Sequence, residues 1–153
     1  MSITSIAGKL FVPRQKELQQ YQNGAEEMQD EVLKYLVNTA ASTEYGRNHL
    51  FKTIHSYDDF AKNVPLNTYE ELKGDIDRMR HGESDILWPG SVKWYAKSSG
   101  TTNDKSKFIP VSHDGLQRVH YQGGKDVVAL YLRNNPNSRL FDGRSLILGG
   151  SHS

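Results

Sequence analysis

The apolar residues of this chain change their period once, and that change limits the architectures open to it. Leu18, Tyr21, Ala25, Met28, Val32 and Leu36 recur at steps of three and four, which lays one apolar stripe along a helix. From residue 92 the step is two, because Val92, Trp94 and Ala96 alternate with Lys93, Tyr95 and Lys97, as in a strand with one face covered. Helices first and strands after imply an α/β fold, or an α+β one, in which the sheet has only begun.

Turn and cap residues divide this pattern. Asn23-Gly24 interrupts the first stripe and predicts a kink. "STEYGRNHLF" breaks the helix, with Gly46 expected in the left-handed conformation. Ser56 with Asp59 caps a short helix carrying Phe60, and Pro65 ends it. Thr68 with Glu71 forms a capping box for a third helix, whose stripe is Tyr69, Leu72, Ile76 and Met79. Phe108 to Val111 is a second β-like run in which Pro110 suggests an edge or a bulge. Ser112 caps a last long helix with Leu116, Val119, Gly123, Val127 and Leu130 on one face. Two glycines inside that helix, Gly123 and Gly124, cost about 1 kcal/mol each relative to alanine, which points to close packing on the sheet. Leu146 to Leu148 reads as a buried strand entering a Gly-Gly turn. Such a strand needs neighbours, so residues 1–153 are expected to be the N-terminal portion of a single larger domain, without an internal boundary.

Composition narrows the function classes. Nineteen basic and eighteen acidic residues leave a net charge of +1, so no strong field attracts nucleic acid or an anionic membrane. No run approaches the ~18 apolar residues of a transmembrane helix. "MSITSIAGKLFVPRQK" lacks the basic start and long apolar stretch of a signal peptide. The chain has no cysteine, which excludes disulfides, thiolate metal sites and cysteine nucleophiles. A cytoplasmic protein is expected. Its six histidines show no close ligand spacing and are expected to be structural or on the surface rather than metal ligands.

The stretch least like ordinary structure is "WYAKSSGTTNDKSKFIPVS", residues 94–112. Nine residues, Ser98 to Ser106, join the two strands, longer than the two to five of an ordinary hairpin. Gly100 lets the backbone turn so that successive N–H groups converge on an anion. Ser98, Ser99, Thr101 and Thr102 bring hydroxyl donors close to the main chain, and Lys105 and Lys107 bring compact positive charge. Main-chain N–H, hydroxyl and ammonium groups together suit a polyphosphate. The loop is neither a Walker A nor a dinucleotide fingerprint, since G-x-x-x-x-G-K-[ST] and G-x-G-x-x-G are both absent and strand, not helix, follows it. A strand-loop-strand clamp is the expected geometry. A polar turn with no ligand remains the alternative at this point.

The order "TEYGRNHLF", "SYDDFAKNVPLNTYEELKGDIDRM", "GESDILWPG" and "SSGTTNDKSKFIPVS" resembles the N-terminal part of the Gretchen-Hagen auxin-responsive promoter family, over roughly residues 14 to 153. Its members are acyl-acid amido synthetases of the adenylate-forming class. The resemblance implies an incomplete part of an adenylate-forming fold. It implies ATP and Mg²⁺ as cofactors, and a carboxylic acid and an amine or amino acid as small-molecule substrates. By the same resemblance Ser98, Ser99, Thr101 and Thr102 bind the β- and γ-phosphates, Gly100 permits the turn, and Lys105 and Lys107 offset the charge of the leaving pyrophosphate. Lys107 is favoured of the two because it begins the next strand. The family usually has Gly where this chain has Asp104, an acidic residue beside a triphosphate. No catalytic side chain is identifiable in this portion, which by itself is expected to be inactive. A non-catalytic nucleotide- or anion-binding module, or a helical interaction module, is the alternative function.

Overall fold

The computed structural model describes residues 3–98, 106–144 and 146. The order is α1 (Ile3–Asn23), α2 (Ala25–Ala40), α3 (Glu44–Asn48), a 3-10 turn (Phe51–Thr53), α4 (Tyr57–Asn63), α5 (Tyr69–Arg80), β1 (Trp94–Lys97), β2 (Phe108–Val111), a π-helical segment (Gly115–Tyr121) and α6 (Gln122–Asn134). Helix predominates, and the sheet among the described residues is one antiparallel pair, compatible with an α/β or α+β class. The chain groups into two compact units, Gly24–His120 and Met1–Asn23 with Tyr121–Ser153.

In the unit formed by residues 24–120, the predicted punctuation holds. Gly24 separates α1 from α2. The Ser56 hydroxyl accepts the Asp59 N–H, and α4 stops before Pro65. At α5 the Thr68 hydroxyl accepts the Glu71 N–H while the Glu71 carboxylate accepts the Thr68 N–H, a complete capping box. Ile76 and Met79 are buried as their spacing requires. Val37, Ala40, Phe51 and Ile54 form one apolar core, and Met79, Ile86 and Val92 a second. Trp88 packs against both.

Gly46 is not left-handed. It lies within α3, and the positive-φ positions among the described residues are Leu50, Asp85, Gly82 and Gly90. Its lack of a side chain serves a close approach instead, since a Cβ there would sit 2.1 Å from the Ala40 carbonyl oxygen. Two stripes are also displaced from their expected faces. In α2 the buried residues are Val37 and Ala40, with Leu33 packed beside them, whereas Val32 and Leu36 are exposed. In β1 Trp94 and Ala96 are exposed and Tyr95 packs on the second core. The strand is half-buried, but on the opposite face to the one its alternation suggested, because α5 covers the Tyr95 side.

In the other unit α1 packs along α6. Arg14 forks onto Asp126, Nε to Oδ1 at 2.5 Å and Nη2 to Oδ2 at 2.9 Å. The Thr4 N–H donates to Asp142 Oδ1 at 3.2 Å, and the Thr4 hydroxyl accepts the Phe141 N–H at 2.9 Å. Ala129 and Leu132 are buried, while Val127 is 68% exposed, so the expected face of this helix is not the covered one. A 3.6-residue period counted from Leu116 lands off the buried face because each turn of the π-helical segment takes up more residues. A Cβ on Gly123 or Gly124 would meet nothing within 4 Å, which overturns close packing as their explanation. The strand expected at Leu146 to Leu148 lies outside the described residues except for Leu146, which is exposed.

Candidate functional site

The hairpin pairs Trp94 with Val111, Tyr95 with Pro110, Ala96 with Ile109 and Lys97 with Phe108. Among the described residues Pro110 therefore sits on an edge strand, where its missing N–H costs no second ladder. One step beyond the last pair, the Ser98 N–H donates to the Lys107 carbonyl at 2.9 Å. The Lys107 N–H donates to the Ser98 hydroxyl at 3.0 Å. Ser98 and Lys107, both half-buried, thus extend the pairing one step past the β1–β2 ladder. Of the other residues expected there, Ser99, Gly100, Thr101, Thr102 and Lys105 lie outside the described residues, as does Asp104.

Helix α5 supports this base. The Tyr69 hydroxyl accepts the Phe108 N–H at 3.1 Å, and the Lys107 ammonium lies 5.3 Å from the centre of the Tyr69 ring. The Arg80 guanidinium stacks 3.8 Å from the centre of the Phe108 ring. Among the described residues Lys107 faces no carboxylate, so its charge is held against an aromatic surface rather than neutralised. The Ser98 hydroxyl is an acceptor towards Lys107, which leaves its own O–H to donate elsewhere. On the inner face of the hairpin the Tyr95 hydroxyl is buried without a partner among the described residues, and burial pushes its phenol pKa up.

A second feature escaped the sequence reading. Val32, Tyr35, Leu36, Trp88, Arg118 and Val119 line a cavity of about 570 Å³. The Tyr35 hydroxyl donates to the Asp114 carboxylate, a bond that raises the phenol pKa, and the Arg118 guanidinium lies 4.0 Å from the Tyr35 ring centre. The signal was present in the stripe itself. Val32 and Leu36 are apolar residues left over once Val37 and Ala40 fill the core, and they form a cavity wall.

Among the described residues no three His, Asp or Glu side chains gather as a metal site. His49 Nδ1 contacts the Asn63 carbonyl and its ring packs 4.2 Å from that of Tyr45. Nor is any described helix long and apolar enough to cross a membrane.

The family model for the GH3 family N-terminal domain matches residues 14–152. The chain belongs to the GH3 family. Indole-3-acetic acid-amido synthetase GH3.15 of Arabidopsis thaliana is 34% identical to it over 106 residues, 68% of this chain and 18% of that protein. A second Arabidopsis thaliana relative, 4-substituted benzoates-glutamate ligase GH3.12, is 29% identical over 110 residues, 70% of this chain and 19% of its own length. A probable indole-3-acetic acid-amido synthetase of Oryza sativa subsp. japonica, GH3.2, is 26% identical over 121 residues, 74% and 20% respectively. This GH3 chain therefore spans about a fifth of the length of the curated relatives it matches. The family resemblance read from "TEYGRNHLF" through "SSGTTNDKSKFIPVS" is borne out.

Proposed function

We propose that this chain is part of an ATP-dependent acyl-acid amido synthetase and supplies the phosphate-holding end of its site. The observation that carries this is the interlock of Ser98 and Lys107 at the base of a strand-loop-strand connection. The two residues fit an anion. One has an O–H with no acceptor among the described residues, and the other holds an ammonium that no described carboxylate neutralises. ATP and Mg²⁺ are the proposed cofactors, with Ser99, Gly100, Thr101, Thr102 and Lys105 completing the loop. Mg²⁺ commonly binds through phosphate oxygens and few protein ligands.

In this reaction a carboxylate oxygen attacks the α-phosphorus, the bond to the β-phosphate breaks, and pyrophosphate leaves with its electron pair. An amine nitrogen then attacks the acyl carbon, AMP departs, and the amine proton is lost to solvent or a base. Neither step needs a protein nucleophile, so the contribution of Ser98 and Lys107 is to orient phosphate oxygens and to stabilise developing charge. The cavity lined by Val32, Leu36 and Trp88 suits the apolar body of an acid, with Arg118 as the nearby cation. The 153 residues alone are proposed to bind the phosphate end without turnover, since they match only about a fifth of the length of the relatives named as synthetase and ligase.

Calorimetric titration with ATP and Mg²⁺ tests the binding half. Wild type gives heat, and Lys107→Ala and Ser99→Ala weaken it. Absence of heat with wild type sinks nucleotide binding for this chain and favours a helical interaction module. Pyrophosphate exchange by the longer protein over a panel of carboxylic acids tests the enzyme half, and failure with every acid and amine favours a non-catalytic binding module.

A further inference from the structure

We infer that Tyr69, at the first turn of α5, is a positioning residue that holds the Lys107 ammonium in place for an anion. The proposal rests on the phosphate reading of Ser98 and Lys107 and adds the element that prepares them. One side chain engages two successive residues of the edge strand. Its hydroxyl accepts the Phe108 N–H at 3.1 Å, and its ring faces the Lys107 ammonium at 5.3 Å. The Phe108 N–H is a donor that the ladder with β1 leaves unused, so the hydroxyl sets where β2 begins. A lysine side chain is a compact charge on a flexible four-carbon stem, and unheld it samples many rotamers. An aromatic face confines it while leaving its N–H donors available, which a carboxylate partner would not do.

Tyr69 is itself placed by the chain around it. It directly follows Thr68, whose capping box with Glu71 fixes the start of α5. At the other end of the same helix the Arg80 guanidinium stacks on the Phe108 ring at 3.8 Å, and Asp77 anchors Arg80 at 3.1 Å. Helix α5 therefore grips β2 at its first residue from two sides. The "VPLNTYEE" segment, residues 64–71, gains a purpose beyond helix capping.

The test is a double-mutant cycle read by titration of inorganic triphosphate with Mg²⁺. Lys107→Met weakens binding most. Tyr69→Leu weakens it by about two- to five-fold, the range of an exposed cation–π contact, and Tyr69→Phe keeps most of the affinity because the ring remains. In the Lys107→Met background Tyr69→Leu has no further effect. An equal loss in both backgrounds means that Tyr69 only supports the fold and overturns the proposal, as does no loss at all. If wild type ignores triphosphate, or Lys107→Met binds as wild type does, the phosphate reading itself fails and takes the proposal with it. A ligand-free readout covers failure of the leucine variant to fold. Ring current shifts the Lys107 ε-methylene protons upfield in wild type and in Tyr69→Phe, and unshifted protons in wild type overturn the proposal.

Discussion

Replacing Gly46 by alanine is expected to unfold the unit of residues 24–120 at markedly lower denaturant. A Cβ at Gly46 sits 2.1 Å from the Ala40 carbonyl oxygen, 2.9 Å from its carbon and 3.2 Å from the Ala41 Cα. Ordinary contact begins at 3.4 Å, so the two backbones must part by about 1.3 Å. Neither side can give way easily. The Ala40 carbonyl accepts the Thr43 N–H at 3.0 Å and the Thr43 hydroxyl at 2.7 Å. Thr43 is fully buried and caps α3 by accepting the Gly46 N–H at 3.0 Å. From the far side, the Glu44 and Tyr45 N–H groups donate to the Asp85 and Ile86 carbonyls at 2.8 and 3.0 Å. Overpacking costs about 1–3 kcal/mol, and one or two buried hydrogen bonds add about 1 kcal/mol each. The sum, about 2–5 kcal/mol, lowers the melting temperature of a chain this size by about 4–20 °C. The assay is urea unfolding followed by tryptophan fluorescence, because both tryptophans, Trp88 and Trp94, lie in this unit. Gly74→Ala is the control. It sits on the exposed side of α5 with nothing within 4 Å of a Cβ, and it should stabilise by about 1 kcal/mol. If Gly46→Ala unfolds at the urea concentration of wild type, the close approach of α3 to the end of α2 is wrong.

Three further outcomes are expected. Asp126→Asn should destabilise by about 2 kcal/mol at neutral pH, since it takes from part-buried Arg14 the carboxylate it forks onto and leaves only exposed Glu17. The Arg14 hydrogen bonds hold the Asp126 carboxyl pKa low, so its contribution is full above the unfolded value near 4 and is lost as pH falls through the lower folded value. Hydrogen exchange along α6 should therefore separate the variant from wild type at pH 6 and much less at pH 2, and an equal gap at both would contradict the pairing. Thr68→Ala removes one arm of the capping box and should cost about 1 kcal/mol by the fluorescence assay, with no loss counting against the cap. Gly123→Ala and Gly124→Ala should each raise helical stability by about 1 kcal/mol, measured by circular dichroism, because a Cβ at either meets only open space. A destabilised variant would restore close packing as their reason.

Local signals were legible wherever a few adjacent residues decide the outcome. Ser56, Thr68 and Ser112 cap helices as their spacing requires, Gly24 divides two helices, and Phe108 to Val111 is a strand. Family membership was equally legible, because ordered motifs from "TEYGRNHLF" to "SSGTTNDKSKFIPVS" carry it without reference to packing. At the proposed site, Ser98 and Lys107 stand out in the sequence by composition, whereas the contacts that Tyr69 and Arg80 make with this strand come from a helix some thirty residues upstream and leave no local pattern.

By itself, then, the sequence determined where helices and strands start and stop, and to which family the chain belongs. Both depend on short-range hydrogen bonding and on the order of motifs. Tertiary structure alone decided which faces are buried. Val37 rather than Val32, Tyr95 rather than Trp94, and Ala129 rather than Val127 point inward, because burial depends on which neighbour covers an element, and in the last helix on a π-helical segment that shifts the period. It also decided why Gly46 is glycine. A backbone 2.1 Å from a missing Cβ, brought there by residues 40 and 41, is a fact of packing that no turn propensity contains.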